Sequence, residues 1–207
     1  EPWAVETGQG GFYRVFTPYW KAMRGEPVAV PEPAPKQMRG VEHWPVSDRL
    51  EEWRLEAAMN RGADVVARYQ AVGEVAARGK LGDFLDGPVE RYAKLRDFPA
   101  VEGTSRLSEN LTYGEIGIRE VWHAGLRARD EGRAGAESFL RELAWREFSY
   151  HLLHHTPEIT RANWRAEWDA FPWRGDNPEA ERWRRGMTGE PFVDAAMREM
   201  YVTGTMH

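Results

Sequence analysis

Residues 139–149 run Phe139-Leu140-Arg141-Glu142-Leu143-Ala144-Trp145-Arg146-Glu147-Phe148-Ser149. On a helix, Glu142, Trp145, Arg146 and Ser149 fall at i, i+3, i+4 and i+7 and share one stripe. Leu140, Leu143, Ala144 and Phe148 take a neighbouring stripe that suits a core. A carboxylate one turn from an indole and beside a guanidinium fits a base turned out of a duplex: the carboxylate bonds a base edge and the indole stacks on a ring. The same residues would equally make an ordinary amphipathic helix with an i,i+4 Glu–Arg pair.

A second group gathers between Tyr92 and Ser108, where Arg96-Asp97-Phe98-Pro99 is followed by Gly103-Thr104-Ser105-Arg106-Leu107-Ser108. Gly103 lets the chain turn, and the hydroxyls of Thr104, Ser105 and Ser108 with the amides around them can converge on phosphate oxygens. Such a cradle suits a dinucleotide cofactor. The plainer alternative is that Thr104 or Ser105 caps the next helix. A third stretch, Trp183 to Arg198, contains a glycine-bearing turn, Pro191 at a first helical position, and a helix with Phe192, Val193, Ala196, Met197 and Met200 on its apolar face. Trp173, in Phe171-Pro172-Trp173, reads on residue type alone as a packing indole after a proline.

The elements that must position these groups are helical. Phe84, Leu85, Val89, Tyr92 and Leu95 recur at helical spacing, and Pro99 ends that run. Ser47 is placed to cap a helix over Arg49–Ala58, and a second helical stretch runs from Gly62 to near Gly79. Further helices are expected at about 115–130, 136–154, 177–185 and 191–202. No segment alternates like a strand, so the expected fold is all-α. Residues 1–46 form an aromatic segment and a connector with prolines at 27, 31, 33, 35 and 45, and residues 47–207 a helical domain.

Composition sets bounds on function. At 207 residues, 42% of them hydrophobic, the chain can bury one substantial core. The net charge of −5 argues against a general polyanion binder, so any nucleic-acid contact must be local. The basic run Arg182 to Arg185 lies among glutamates and reads as a solvated helix end. With no cysteine there is no disulfide, thiol nucleophile or thiolate-bound metal in this sequence, and the spacing of His151, His154 and His155 is not that of a helix-borne zinc pair, so no metal site is expected. No apolar run reaches the length of a membrane span, and a cytoplasmic location is expected.

Taken in order, the three stretches resemble the photolyase/cryptochrome family, and within it the bacterial cyclobutane pyrimidine dimer photolyases. The likeness runs from about Phe12 to the last residue. It implies a helical FAD-binding catalytic domain in which Tyr92, Thr104, Ser105, Arg106, Leu107 and Ser108 contact the cofactor and Arg96 grips a DNA phosphate. It further implies that Glu142 and Trp145 meet a flipped-out dimer, with Ser149 on the DNA side and Arg146 near flavin or DNA backbone. Trp173 matches the outermost tryptophan of an electron relay to the flavin, which makes Glu142, Trp145 and Trp173 the catalytic candidates. Glu142 leans toward cyclobutane dimers rather than six-four lesions.

The family's motif continues Thr-Gly-Trp-Met-His-Asn-Arg where this sequence has Thr203-Gly204-Thr205-Met206-His207, so an aromatic wall at 205 is not implied. The resemblance therefore implies about half of a catalytic domain, truncated at its C-terminus and without the preceding α/β antenna domain. Such a piece is expected to hold FAD weakly or not at all, to be inactive alone, and to expose apolar surface. The full-length protein is expected to be a monomeric, light-driven repair enzyme acting on damaged DNA. A cryptochrome-like photoreceptor with the same flavin pocket is the alternative. Both readings require the hydroxyl-lined loop near 104 and the stripe near 142 to face a common cavity.

Overall fold

The computed structural model describes residues 1–207. Nine α-helices follow in chain order: α1 (Phe16–Met23), α2 (Gly62–Ala67), α3 (Glu74–Asp86), α4 (Tyr92–Leu95), α5 (Ser108–Thr112), α6 (Ile118–Asp130), α7 (Ala136–His155), α8 (Pro178–Arg184) and α9 (Pro191–Thr203). Extended pairing is confined to one isolated antiparallel bridge between Glu6 and Phe12. The fold is all-α, and it divides into two compact units. One comprises residues 1–31 and 72–172, the other residues 32–71 and 173–207.

The first unit is built around α7. Its inward residues are Ala136, Phe139, Leu140, Leu143, Ala144, Phe148 and His151, spaced by three and four so that they form one stripe. Against this stripe pack α1, α4, α6 and the N-terminal 3-10 turn Pro2–Ala4. The close approach of α6 is a matter of residue size, since a Cβ on Gly125 would stand 2.9 Å from Leu140 Cδ2. The helix α6 ends by local chemistry. Gly132, at φ +83°, lets its own amide reach Arg129 O (2.9 Å) and the Arg133 amide reach Ala128 O (2.9 Å), which satisfies two terminal carbonyls. Arg127 and Arg129 add favourable charge in the last turn.

The N-terminal segment is fastened to α7 by histidines. His151 is fully buried, with Nδ1 3.0 Å from Pro2 O and Nε2 accepting the Tyr13 amide at 3.1 Å. His155 Nε2 lies 3.0 Å from Trp3 O, and its ring stacks on Phe12. Because the Nε2 lone pair of His151 takes an N–H, the proton of the neutral ring belongs on Nδ1. Burial, the dominant cause, and the neighbouring His155 and His154 lower the His151 pKa against the opposing pull of the two backbone carbonyls.

In the second unit, α2 packs on α9, and Gln70 Nε2 donates to Thr203 O at 2.9 Å. The helix α8 starts where sequence rules place a start: Asn177 Oδ1 accepts the Ala180 amide (2.9 Å) and Pro178 occupies the first helical position. Asp194 takes the Thr188 and Gly189 amides and the Thr188 hydroxyl, which holds the turn before α9. Those bonds, the hydroxyl first, keep its carboxyl below the usual range.

Several local expectations fail. The run 84–95, expected as one helix ended by Pro99, is broken at Gly87 into α3, a 3-10 turn (Pro88–Arg91) and α4. The stretch 49–58 forms 3-10 turns, Leu50–Trp53 and Ala57–Met59, broken by Arg54 at φ +48°. Leu50, Trp53, Leu55 and Met59 remain exposed, and a short helix without a packed face is marginal. Ser47 caps nothing, since its hydroxyl donates to Asp48 O. The expected helix from 62 to 79 is split at Gly73, whose φ of +96° suits glycine and whose amide donates to Glu115 Oε1 at 2.8 Å. The buried residues of α9 are Asp194 and Met197, while Phe192 is 74% exposed, so its inward face is not the apolar one expected.

Candidate functional site

Four of the residues singled out by type, Tyr92, Arg96, Glu142 and Trp145, meet where α4 crosses α7 and where α7 exposes its outer stripe. The Arg96 guanidinium is ion-paired through Nη1 with Glu142 Oε1, and both side chains are 32% exposed. Glu142 holds Arg96 protonated, raising its pKa chiefly through this hydrogen bond. Tyr92, one turn before Arg96, is buried against Phe84 and Phe139, edge to face with both. Its burial, more than the nearby Glu142, pushes the phenol pKa up. A neutral phenol, an ion pair and an open indole therefore follow one another along this edge.

Trp145 lies one turn beyond Glu142 and is 42% exposed. Its indole stacks on Phe16 with centroids 3.6 Å apart and planes 10° from parallel, and Phe148 meets it edge-on at 5.9 Å. One indole face is thus covered by protein and the exposure belongs to the other. Arg146 turns elsewhere: it pairs with Glu147 and lies over the Tyr150 ring, 4.7 Å from its centroid. The Ser149 hydroxyl donates to Trp145 O at 3.1 Å, on its own helix. The structure brings Tyr92, Arg96, Glu142 and Trp145 together and directs Arg146 and Ser149 into local bonds.

The loop 103–108 packs on the C-terminal end of α4, Gly103 against Leu95. A Cβ on Gly103 would stand 2.7 Å from Leu95 Cβ and 3.1 Å from the Leu95 carbonyl carbon, so only glycine fits against this helix. Arg106 adopts a left-handed conformation (φ +48°) and Leu107 a right-handed one (φ −93°, ψ 0°). Successive residues of opposite hand turn their amides into one concavity, the geometry that binds anions. The amides of Thr104 to Leu107 donate to no backbone carbonyl, and Thr104 and Ser105 are half-buried. Leu107 is 2% exposed and anchors the loop in the core, while Arg106 and Ser108 face outward.

A network that sequence reasoning missed supports this loop. Lys80 on α3 donates to Glu109 Oε1 (2.5 Å) and Asn110 Oδ1 (3.0 Å) and reaches Arg106 O at 3.5 Å. Asn110, fully buried, donates to Glu115 Oε2 at 2.6 Å. Lys80 is far from the loop in sequence, and nothing in its own neighbourhood announces the connection. Phe16, behind Trp145, was missed for the same reason. Trp173 belongs to the second unit and is 63% exposed.

Comparison with known proteins bears on these two surfaces. Residues 139–207 match the sequence profile of the FAD binding domain of DNA photolyase. Over its whole length the chain is 44% identical to a deoxyribodipyrimidine photo-lyase of Agrobacterium fabrum. It superposes on the crystal structure of a bacterial class III photolyase from Agrobacterium tumefaciens with a TM-score of 0.92, at 42% identity and across 100% of this chain. The chain belongs to the DNA photolyase family. As a photolyase-family chain it is also similar to the Escherichia coli deoxyribodipyrimidine photo-lyase, 35% identical over 100% of its length. Likeness to the Synechocystis cryptochrome is lower, with a TM-score of 0.57 at 26% identity over 67% of this chain and 31% of that one. This photolyase-family chain spans 44% and 43% of the two curated relatives and 43% of the Agrobacterium structure.

None of the helices is long and apolar enough to cross a membrane.

Proposed function

We propose that this chain supplies the cofactor-phosphate and lesion-facing walls of a photolyase that uses FAD and light to split cyclobutane pyrimidine dimers in DNA. The observation that carries the reading is the pair of Glu142 and Trp145 on one edge of α7, a carboxylate beside an indole with one open face. Stacking on such a face is worth about 1–3 kcal/mol per base, and it suits a dimer turned out of the duplex. The loop 103–108 fits the pyrophosphate of FAD. It offers a concavity of unpaired amides, two hydroxyls and the Arg106 guanidinium, and Gly103 leaves no side chain in the way. FAD, when bound and reduced, would supply the photoexcited electron that opens the cyclobutane ring.

The residues of this chain then bind and orient. Trp145 stacks on the lesion, Glu142 hydrogen-bonds its base edge, and Arg96, released from or shared with Glu142, grips a backbone phosphate. Thr104, Ser105, Arg106, Leu107 and Ser108 hold the cofactor phosphates, and Tyr92 walls the same region. Arg146 and Ser149 border the DNA side, and exposed Trp173 serves as the outer donor of an electron relay. A monomeric, cytoplasmic protein acting on damaged DNA completes this reading.

The test uses the full-length, FAD-loaded protein and a duplex carrying one thymine dimer. Blue light should restore the intact thymines. Photoreduction of the flavin with the dimer left untouched would instead select a blue-light receptor of the cryptochrome kind.

A further inference from the structure

The indole of Trp145 does not hold itself in place. Being 42% exposed on the outer stripe of α7, an isolated indole there would sample several rotamers. Phe16, on α1 and remote in sequence, removes that freedom. Its ring is 3% exposed and lies 3.6 Å from the indole, nearly parallel at 10°. Phe148 sits edge-on to both rings, at 5.8 Å from Phe16 and 5.9 Å from Trp145, and the Arg141 guanidinium lies 5.7 Å from the Phe16 centroid. The phenyl ring is therefore fixed by its neighbours before any base arrives.

We infer that Phe16 is a positioning residue for lesion binding: it forms the inner layer of a three-layer stack whose middle layer is Trp145 and whose outer layer is a base of the flipped-out dimer. The inference rests on the lesion-binding reading of Trp145. A preorganised platform spends little entropy on docking, so removing the inner ring weakens binding of the dimer even though Phe16 never touches it. Undamaged duplex, which presents no extruded base, is unaffected by the change.

The experiment measures affinity in the dark for a dimer-containing duplex and for the undamaged duplex, using the full-length FAD-loaded protein with flavin content and Tm followed alongside. Trp145→Ala should lower the preference for damaged DNA at least roughly tenfold, as expected for the loss of a stacked base. Phe16→Leu should lower it by roughly fivefold to tenfold, Phe16→Tyr should retain it, and Phe16→Leu with Trp145→Ala should be no worse than Trp145→Ala alone. Phe16→Met makes the same comparison if Phe16→Leu does not accumulate folded. A loss of preference in Trp145→Ala with full preference in the Phe16 variants overturns the positioning role and leaves the lesion-binding reading intact. Full preference in Trp145→Ala overturns that reading and the positioning role with it.

Discussion

The Arg96 guanidinium is ion-paired with the Glu142 carboxylate, and this contact ties the end of α4 to the outer stripe of α7. Both side chains are about one-third exposed, so water screens the pair and its share of stability is about 0–1 kcal/mol. Its value lies in placing two polar groups beside an indole.

Glu142→Gln separates stability from function. The amide keeps the shape and loses the charge, so Tm should fall by no more than ~4 °C. Dimer splitting per absorbed photon by the full-length FAD-loaded protein should drop several-fold. Thermal melting and a repair assay on one preparation check both halves, and unchanged repair would remove Glu142 from the site.

Gly103→Ala acts on the cofactor loop. The new methyl would meet the Leu95 Cβ and backbone, and relieving that overlap means moving the loop off α4 at a cost of about 1–3 kcal/mol. The full-length protein should stay helical by circular dichroism while its flavin-to-protein ratio after gel filtration falls. A stoichiometric flavin in this variant would show that the loop does not bear on the cofactor.

Gly135→Ala should be much more damaging to the fold. A Cβ there would sit 2.0 Å from the Val89 carbonyl oxygen and 3.0 Å from Tyr92 Cβ, and backbone cannot move aside as a side-chain tip can. A loss of ~3 kcal/mol or more is expected, read as a lowered midpoint in urea or as insoluble protein.

The buried His151 sets a pH dependence. Its folded pKa lies below the ordinary His value of about 6.5, so the unfolded chain binds a proton more readily than the native one. The stability it contributes is complete above that value and is lost as pH falls from there through the folded pKa. Melting at pH 7.5 and 5.5 should show a larger drop for the parent than for His151→Gln, which removes the titration. Hydrogen exchange should place the loosening in residues 2–13, which His151 and His155 fasten to α7.

Where function was legible in the sequence, it was written in short-range spacing. Positions 142, 145, 146 and 149 must share a stripe on any helix, and the core stripe 140, 143, 144 and 148 is buried as that geometry requires. Starts were readable where one residue suffices, as with Pro191 and the glycine-bearing turn before it. The 49–58 stretch misled because propensity there meets no packing partner, and α9 misled because Asp194 was drawn inward by the amides of its own turn.

Residue order alone determined the helical class, the stripe on α7 and the hydroxyl-rich loop, since each depends on contacts within a turn or two of chain. Tertiary structure decided what those groups face. It set Phe16 behind Trp145, Arg96 against Glu142, Leu95 behind Gly103 and Lys80 beneath the loop, and it turned Arg146 toward Glu147. The residue behind the indole and the support of the loop come from distant parts of the chain, and only packing the whole core brings them within reach.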